Sequence, residues 1–236
     1  MNEMAAREAE RAGVALAWFN RLELAYDPPD TRRVGPVFEG WPEYPFGAVA
    51  AWAWGLQRCV DALLLTGLAL PGCIGVIGHS RGGKAALLAG ATDPRIAATI
   101  AHNSGTGGGS SFQVVGEGSE SLAALAARFP HWLGPRASDA KTQQHITEID
   151  NLPLLLAIAP RGLYLMQAGD DAWANPPGTQ YAFEQLQPAW AALGRQHCID
   201  WQERTGGHPM TGLDWQRAAA FLQRVVAGES TGKAHS

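Results

Sequence analysis

A serine lies between glycines in Gly78-His79-Ser80-Arg81-Gly82-Gly83-Lys84, the G-x-S-x-G spacing that presents a hydroxyl as a nucleophile when it falls between a strand and a helix. Both flanks fit. Cys73 to Ile77 is a short apolar run that reads as a strand, and Gly82 to Ala91 reads as a helix. On such a turn the hydroxyl is exposed and flanking glycines relieve backbone crowding, while the amides that open the helix point at an oxyanion formed beside them. The chemistry indicated is acyl transfer through a covalent serine intermediate.

A serine hydroxyl becomes a strong nucleophile when a neutral imidazole takes its proton, and a carboxylate must fix that imidazole's tautomer. Of the seven histidines, His208 is placed for the task, in Arg204-Thr205-Gly206-Gly207-His208-Pro209, a turn-rich loop between the last expected strand and the final helix. His79 abuts the serine, and its side chain is expected to point away into the packing beneath the turn. His102, His131, His145, His197 and His235 read as surface or internally satisfied histidines. The acid should follow a strand, and Gly169-Asp170-Asp171 comes directly after Leu163 to Ala168. Asp171 is preferred and Asp170 is the alternative; turn capping or surface charge also accounts for either.

Arg81 and Lys84 stand in the first turn of the helix behind the serine, where the macrodipole disfavours a cation by roughly 0.3 to 1 kcal/mol. Local rules are broken where function demands it, so the pair is read as facing a group that is or becomes negative. The plainer reading sends both side chains to solvent.

The elements that must position these groups alternate in type. Residues 4 to 12 resemble the end of a helix, and Val14 to Phe19 a buried strand. After a polar, Pro-rich stretch from Asp27 to Pro45, residues 47 to 66 form a helical pattern with Trp52, Leu56, Val60 and Leu63 on one face. Strands are expected at 96–101, 163–168 and 197–202, and helices at 119–128, 179–193 and 213–227. Such alternation predicts an α/β fold, a mostly parallel sheet with helices on both faces, whose chemistry sits at the carboxyl ends of the strands. The 236 residues contain no repeat or linker, so one domain over 1–236 is expected, with 228–236 as a disordered tail.

Hydrophobic residues make up 46% of the chain, enough for a core, and a net charge of -4 argues against nucleic acid as a partner. No apolar run approaches the roughly 18 residues of a membrane span, and no signal peptide is read at the N-terminus. Cys59, Cys73 and Cys198 are too scattered for a disulfide framework or a metal knuckle. The run GTGGGSS lacks the Gly-Lys-Ser/Thr ending of a phosphate loop and is read as a flexible loop beside the site. No metal or cofactor is implied, and the oligomeric state is not legible.

From about Gly13 to the final helix the sequence resembles the glucuronoyl esterases, carbohydrate esterases of the α/β-hydrolase superfamily. The resemblance rests on AWAWGLQR, GHSRGGK with AGATDPRIA, NSGTGGG, ESLAALAARFPHWL, AIAPRGLYL, DAWANPPG and GGHPMTGLDW. It implies cleavage of the ester between 4-O-methylglucuronic acid of glucuronoxylan and lignin alcohols, by Ser80 as nucleophile with His208 as base. It further implies Arg81 as an oxyanion ligand, Lys84 as a ligand for sugar hydroxyls, Trp173 as a pyranose-stacking residue and Glu120 as a substrate contact. Members of the family are generally secreted or periplasmic.

The departures also carry information. Some members place the acid where this chain has Asn103, which cannot carry charge and so favours Asp171. Asn175 stands in place of a usual aspartate, and Asp150-Asn151-Leu152 in place of Asp-Gln-His. The family domain is much longer. Val14 to Phe19 corresponds to its fourth strand, leaving the first three without counterpart and the nucleophile strand short of a neighbour. Direct pairing of the fourth and fifth strands, a second chain, or a longer parent protein would each fill the gap, and the last is favoured. The competing functions are an acetylxylan or general carboxylesterase, and an inactive truncated fragment.

Overall fold

The computed structural model describes residues 3–28, 30 and 32–232. Among these residues four parallel strands, β1 (Ile74–His79), β2 (Ile96–His102), β3 (Gly162–Ala168) and β4 (Ile199–Arg204), pair in chain order. Every residue of β2 and β3 is buried, as expected of inner strands covered on both faces.

Among the described residues ten α-helices accompany them: α1 (Glu3–Arg11), α2 (Pro36–Gly40), α3 (Ala48–Leu65), α4 (Arg81–Thr92), α5 (Leu122–Arg128), α6 (Pro130–Leu133), α7 (Ala140–Ile149), α8 (Leu152–Leu156), α9 (Pro176–Ala192) and α10 (Gly212–Gly232). Successive strands are joined through helices, as parallel pairing requires. Thr99 and Ala98 alternate along β2, and they show the two layers. Thr99 meets Gly90 of α4, whereas the Ala98 side shares its space with Val225 of α10, so α4 and α10 lie on opposite faces. Leu87, Leu165, Leu186, Trp190, Phe221 and Val225 belong to the main core. A second cluster joins Trp52 of α3 to Trp132 of α6 and Ala25.

Val14 to Phe19, expected as a strand, forms none. Val14 to Ala17 line a cavity of about 610 Å³ whose wall also includes Ile74, Val76, Leu68 and Leu222, while Trp18 is exposed. Apolarity signals burial, but a strand also needs a hydrogen-bonding ladder, and among the described residues β1 pairs with β2 alone. The fourth-to-fifth pairing considered from the sequence is therefore not the one formed. The last helix is described through Gly232, which takes in the start of the stretch expected as a tail; residues 233–236 lie outside the described residues.

Candidate active site

β1 ends at His79 and α4 begins at Arg81, so Ser80 makes the turn, with φ 55° and ψ −125°. A positive φ on a non-glycine residue is strained, and its neighbours permit it. A Cβ on Gly78 would stand 2.0 Å from the Gly82 carbonyl oxygen, and one on Gly83 would stand 2.8 Å from Ser104 Cβ. A Cβ on Gly82 would meet nothing within 4 Å. The crowding predicted on both sides of the serine thus falls on Gly78 and Gly83. The amides of Gly83 and Lys84 turn back to the Ser80 carbonyl, and those of Arg81 and Gly82 precede them as helix-opening donors.

A cavity of about 260 Å³ opens over this turn, and its wall contains all seven residues singled out from the sequence: Ser80, Arg81, Lys84, Glu120, Asp171, Trp173 and His208. The parallel sheet accounts for the convergence. Ser80 follows β1, Asp171 follows β3 and His208 follows β4, all at carboxyl ends.

His208 Nδ1 lies 2.5 Å from Asp171 Oδ2, which leaves Nε2 as the ring nitrogen able to take a proton from a hydroxyl in the cavity. Asp170 has a different partner, accepting the Gly206 amide at 2.7 Å and so holding the loop that carries His208. Asn103 holds the same loop from below. Its side-chain amide donates to the His208 carbonyl at 3.0 Å, and its carbonyl accepts from Ala168 N at 2.7 Å.

His79 does not turn wholly away from the site. Its ring centroid lies 4.5 Å from that of His208, and its Nδ1 lies 3.0 Å from Nδ1 of the buried His102. His102 in turn is 3.5 Å from Asp214. Burial pushes His79 down to about 4, with His208 adding in the same direction, and burial pushes His102 down to about 4. Both therefore stay neutral beside His208 at neutral pH.

The two cations of α4 find their counterions within the chain. Lys84 is buried, which excludes the solvent reading; Nζ donates to the Ser104 carbonyl at 2.7 Å and to the Thr106 carbonyl, and lies 3.9 Å from Glu120. Burial lowers its pKa to about 8 against the attraction of Glu120. Burial raises Glu120, despite Lys84, Arg128 and the Trp173 side chain, and its Oε1 lacks a hydrogen-bond partner among the described residues. Trp173 is 43% exposed, with the Arg128 guanidinium 5.3 Å from its ring.

Arg81 donates to Asp27 and lies 4.5 Å from the Trp132 ring centroid. Asp27 is the site neighbour that sequence reasoning missed. It falls in the Pro-rich stretch, with no spacing that relates it to Ser80. The loop read as flexible is instead buried and pinned: Thr106 Oγ1 donates to the Glu120 carbonyl, Ser110 bonds Thr179 at 2.7 Å and Ser111 bonds Asp150 at 2.7 Å. Asn175 caps α9, accepting from Gly178 N at 3.2 Å, so its amide serves a turn. Among the described residues no group of three or more His, Cys, Asp or Glu is arranged to hold a metal ion.

A parallel sheet that delivers a strained serine and a carboxylate–imidazole pair to one cavity at its carboxyl ends is the plan of the α/β-hydrolases, and solved structures share the fold. A carbohydrate esterase family 15 glucuronoyl esterase from Caldicellulosiruptor kristjansonii superimposes with a TM-score of 0.79 at 28% identity, over 89% of this chain and 59% of that one. The glucuronoyl esterase catalytic domain from Hypocrea jecorina gives 0.77 at 26% identity, over 89% and 61%. Residues 2–194 match the family described as "Glucuronyl esterase, fungi", and the chain belongs to it. Among curated relatives, 4-O-methyl-glucuronoyl methylesterase 1 from Sodiomyces alcalophilus is 34% identical over 191 residues, covering 77% of this chain and 38% of the relative. The 4-O-methyl-glucuronoyl methylesterase of Hypocrea jecorina is 30% identical over 240 residues, covering 94% and 51%. The chain thus spans about half the length, or less, of these curated relatives.

Proposed function

We propose that the chain carries the site of a serine carboxylesterase that hydrolyses esters of (4-O-methyl-)glucuronic acid, as the names of its relatives describe for them. The observation that carries this reading is the Asp171–His208 pair bordering one cavity with Ser80. His208 Nε2 takes the Ser80 proton as Oγ attacks the ester carbonyl carbon. The carbonyl oxygen becomes an oxyanion facing the leading amides of α4 and Arg81. The intermediate collapses with cleavage of the bond to the alkoxy oxygen, which leaves as the alcohol with the proton held on His208. Water then adds to the acyl-enzyme with His208 again as base, releasing the uronic acid and restoring Ser80.

Lys84, Glu120 and Trp173 suit a sugar ring, a buried donor and acceptor beside an exposed aromatic face. The natural ester belonging to this reading joins glucuronoxylan to lignin alcohols. The test is hydrolysis of methyl and benzyl glucuronate beside p-nitrophenyl acetate, by the wild type and by Ser80→Ala. Cleavage of the uronate esters, lost in the variant, supports the reading. Cleavage of acetate alone replaces it with a general esterase, and silence on all three leaves the inactive fragment.

A further inference from the structure

We infer that Asp27 is the positioning residue of this site, holding the Arg81 guanidinium where it meets the oxyanion; the inference rests on the serine esterase reading. Asp27 is remote in sequence, yet its side chain is only 6% exposed and faces four donors. Oδ1 accepts from Trp132 Nε1 at 2.8 Å and lies 3.0 Å from His131 Nε2. Oδ2 accepts from Arg21 at 3.3 Å and from Arg81 Nη1. Trp132 and His131 belong to α6, so the carboxylate is fixed by one element and grips a residue of another.

The geometry at Arg81 has two ends. One terminal nitrogen is engaged by Asp27 and the guanidinium plane lies near the Trp132 ring, while the residue still borders the cavity with Ser80 and its side chain is 37% exposed. A guanidinium is suited to this division, since its planar fork carries donors beyond those committed to a carboxylate. Charge is also preserved. Arg81 keeps its charge in this pairing, and the same carboxylate also faces Arg21. Burial raises the Asp27 carboxyl, but hydrogen bonds from Trp132, His131 and Arg81 outweigh it and leave the pKa below the ordinary value, so the anchor stays charged at neutral pH. A free arginine at the rim would have to lose side-chain freedom in the transition state; one already held does not.

The experiment is a double-mutant cycle. Asp27→Asn keeps the shape of the side chain and removes its charge. In the wild-type background it should lower kcat on methyl glucuronate about 10- to 50-fold with KM changed less than about 3-fold. In an Arg81→Gln background the same change should cost less than about 3-fold more. Equal losses in both backgrounds, or a loss confined to KM, would overturn the inference by making Asp27 a structural counterion. Should Asp27→Asn not fold, Arg81→Lys decides the matter on the exposed side of the bond. Its single ammonium can pair with Asp27 but offers no second terminal nitrogen to the cavity, so kcat should fall nearly as far as in Arg81→Gln, and retention of most activity overturns the two-ended role. A fluorophosphonate that phosphonylates serine nucleophiles gives an independent readout. An unlabelled Ser80 defeats the esterase reading and this inference together. A labelled Ser80 whose rate is indifferent to Asp27 and Arg81 defeats the inference alone.

Discussion

Asp171→Asn against Asp170→Asn separates two neighbouring carboxylates by their geometry. Asp171 Oδ2 lies 2.5 Å from His208 Nδ1, while Asp170 accepts one backbone amide from Gly206. When His208 takes the serine proton, an ion pair forms with Asp171. Two unit charges about 4 Å apart attract by roughly 1 kcal/mol in water and roughly 4 kcal/mol at a partly shielded protein surface. His208 is 44% exposed and Asp171 10%, so the pair lies between these limits, at roughly 2 to 3 kcal/mol, or about 30- to 150-fold in rate. Asparagine can also present its amide N–H and select the wrong imidazole tautomer, a further penalty that reaches about 10⁴-fold in serine proteases with a buried acid. The expected result for Asp171→Asn is a 100- to 1,000-fold fall in kcat on methyl glucuronate, with an unchanged thermal midpoint. For Asp170→Asn the amide oxygen still accepts from Gly206, and the expected loss is under about 5-fold. Steady-state kinetics of both variants beside the wild type decides it. A fall below 5-fold for Asp171→Asn, or a larger fall for Asp170→Asn, would refute the assignment.

The half-buried His79 and the buried His102 make the fold acid-sensitive. Unfolded histidines protonate near 6.5 and these only near about 4, so between those values the unfolded state binds more protons and stability falls as pH drops, by roughly 3 kcal/mol for one histidine. Urea midpoints at pH 7, 5.5 and 4.5 should decline in the wild type and decline less in His102→Gln; parallel curves would rule the pair out as the cause. Lys84, lowered to about 8, should give kcat/KM an alkaline limb as pH rises through that value, absent from Lys84→Met. A limb that persists in the variant belongs to another group. At the elbow, Gly83→Ala should lower stability by about 1 to 3 kcal/mol because its Cβ would press on Ser104, while Gly82→Ala should be neutral or stabilising by up to about 1 kcal/mol. Thermal denaturation compares them, and equal midpoints would disprove the contact argument.

What was legible in the sequence was what local rules encode. The turn at Ser80, the strands from Ile96 and Leu163 and the helices at 47–66 and 213–227 carry their own periodicity and punctuation, and they stand within a few residues of the observed elements. Because a parallel sheet brings its carboxyl ends together, the Asp171 and His208 loops could be paired before any distance was known. Failures came where an outcome depends on a partner elsewhere. Val14 to Phe19 has the composition of a strand and no ladder to join. The run at 104–111 has the composition of a flexible loop, but side chains from Asp150 and Thr179 hold it. Asp27 gives no local signal, since its importance lies in donors on α6 and α4 that are distant in the chain.

The cations at the start of α4 show how such a miss alters a mechanism. From sequence they look like charge offered to a ligand, at a place where the helix dipole makes charge costly. In the fold each is matched, Arg81 by Asp27 and Lys84 by Glu120 together with two carbonyls. Around Ser80 the cations Arg81, Lys84 and Arg128 are opposed by the carboxylates Asp171, Glu120 and Asp27. A site balanced in this way does not gather anions in its resting state. Its donors are nonetheless fixed in place, by Asp27 at one side and the 104–106 carbonyls at the other, and in the proposed reaction they would meet developing negative charge without rearrangement. On that reading, preorganised donors in a balanced cavity favour a neutral acyl group that becomes an oxyanion over one that arrives already charged. On the proposed reading, the local rule is broken at Arg81 and Lys84 because the charge is needed in one geometry, and the carboxylates hold it there.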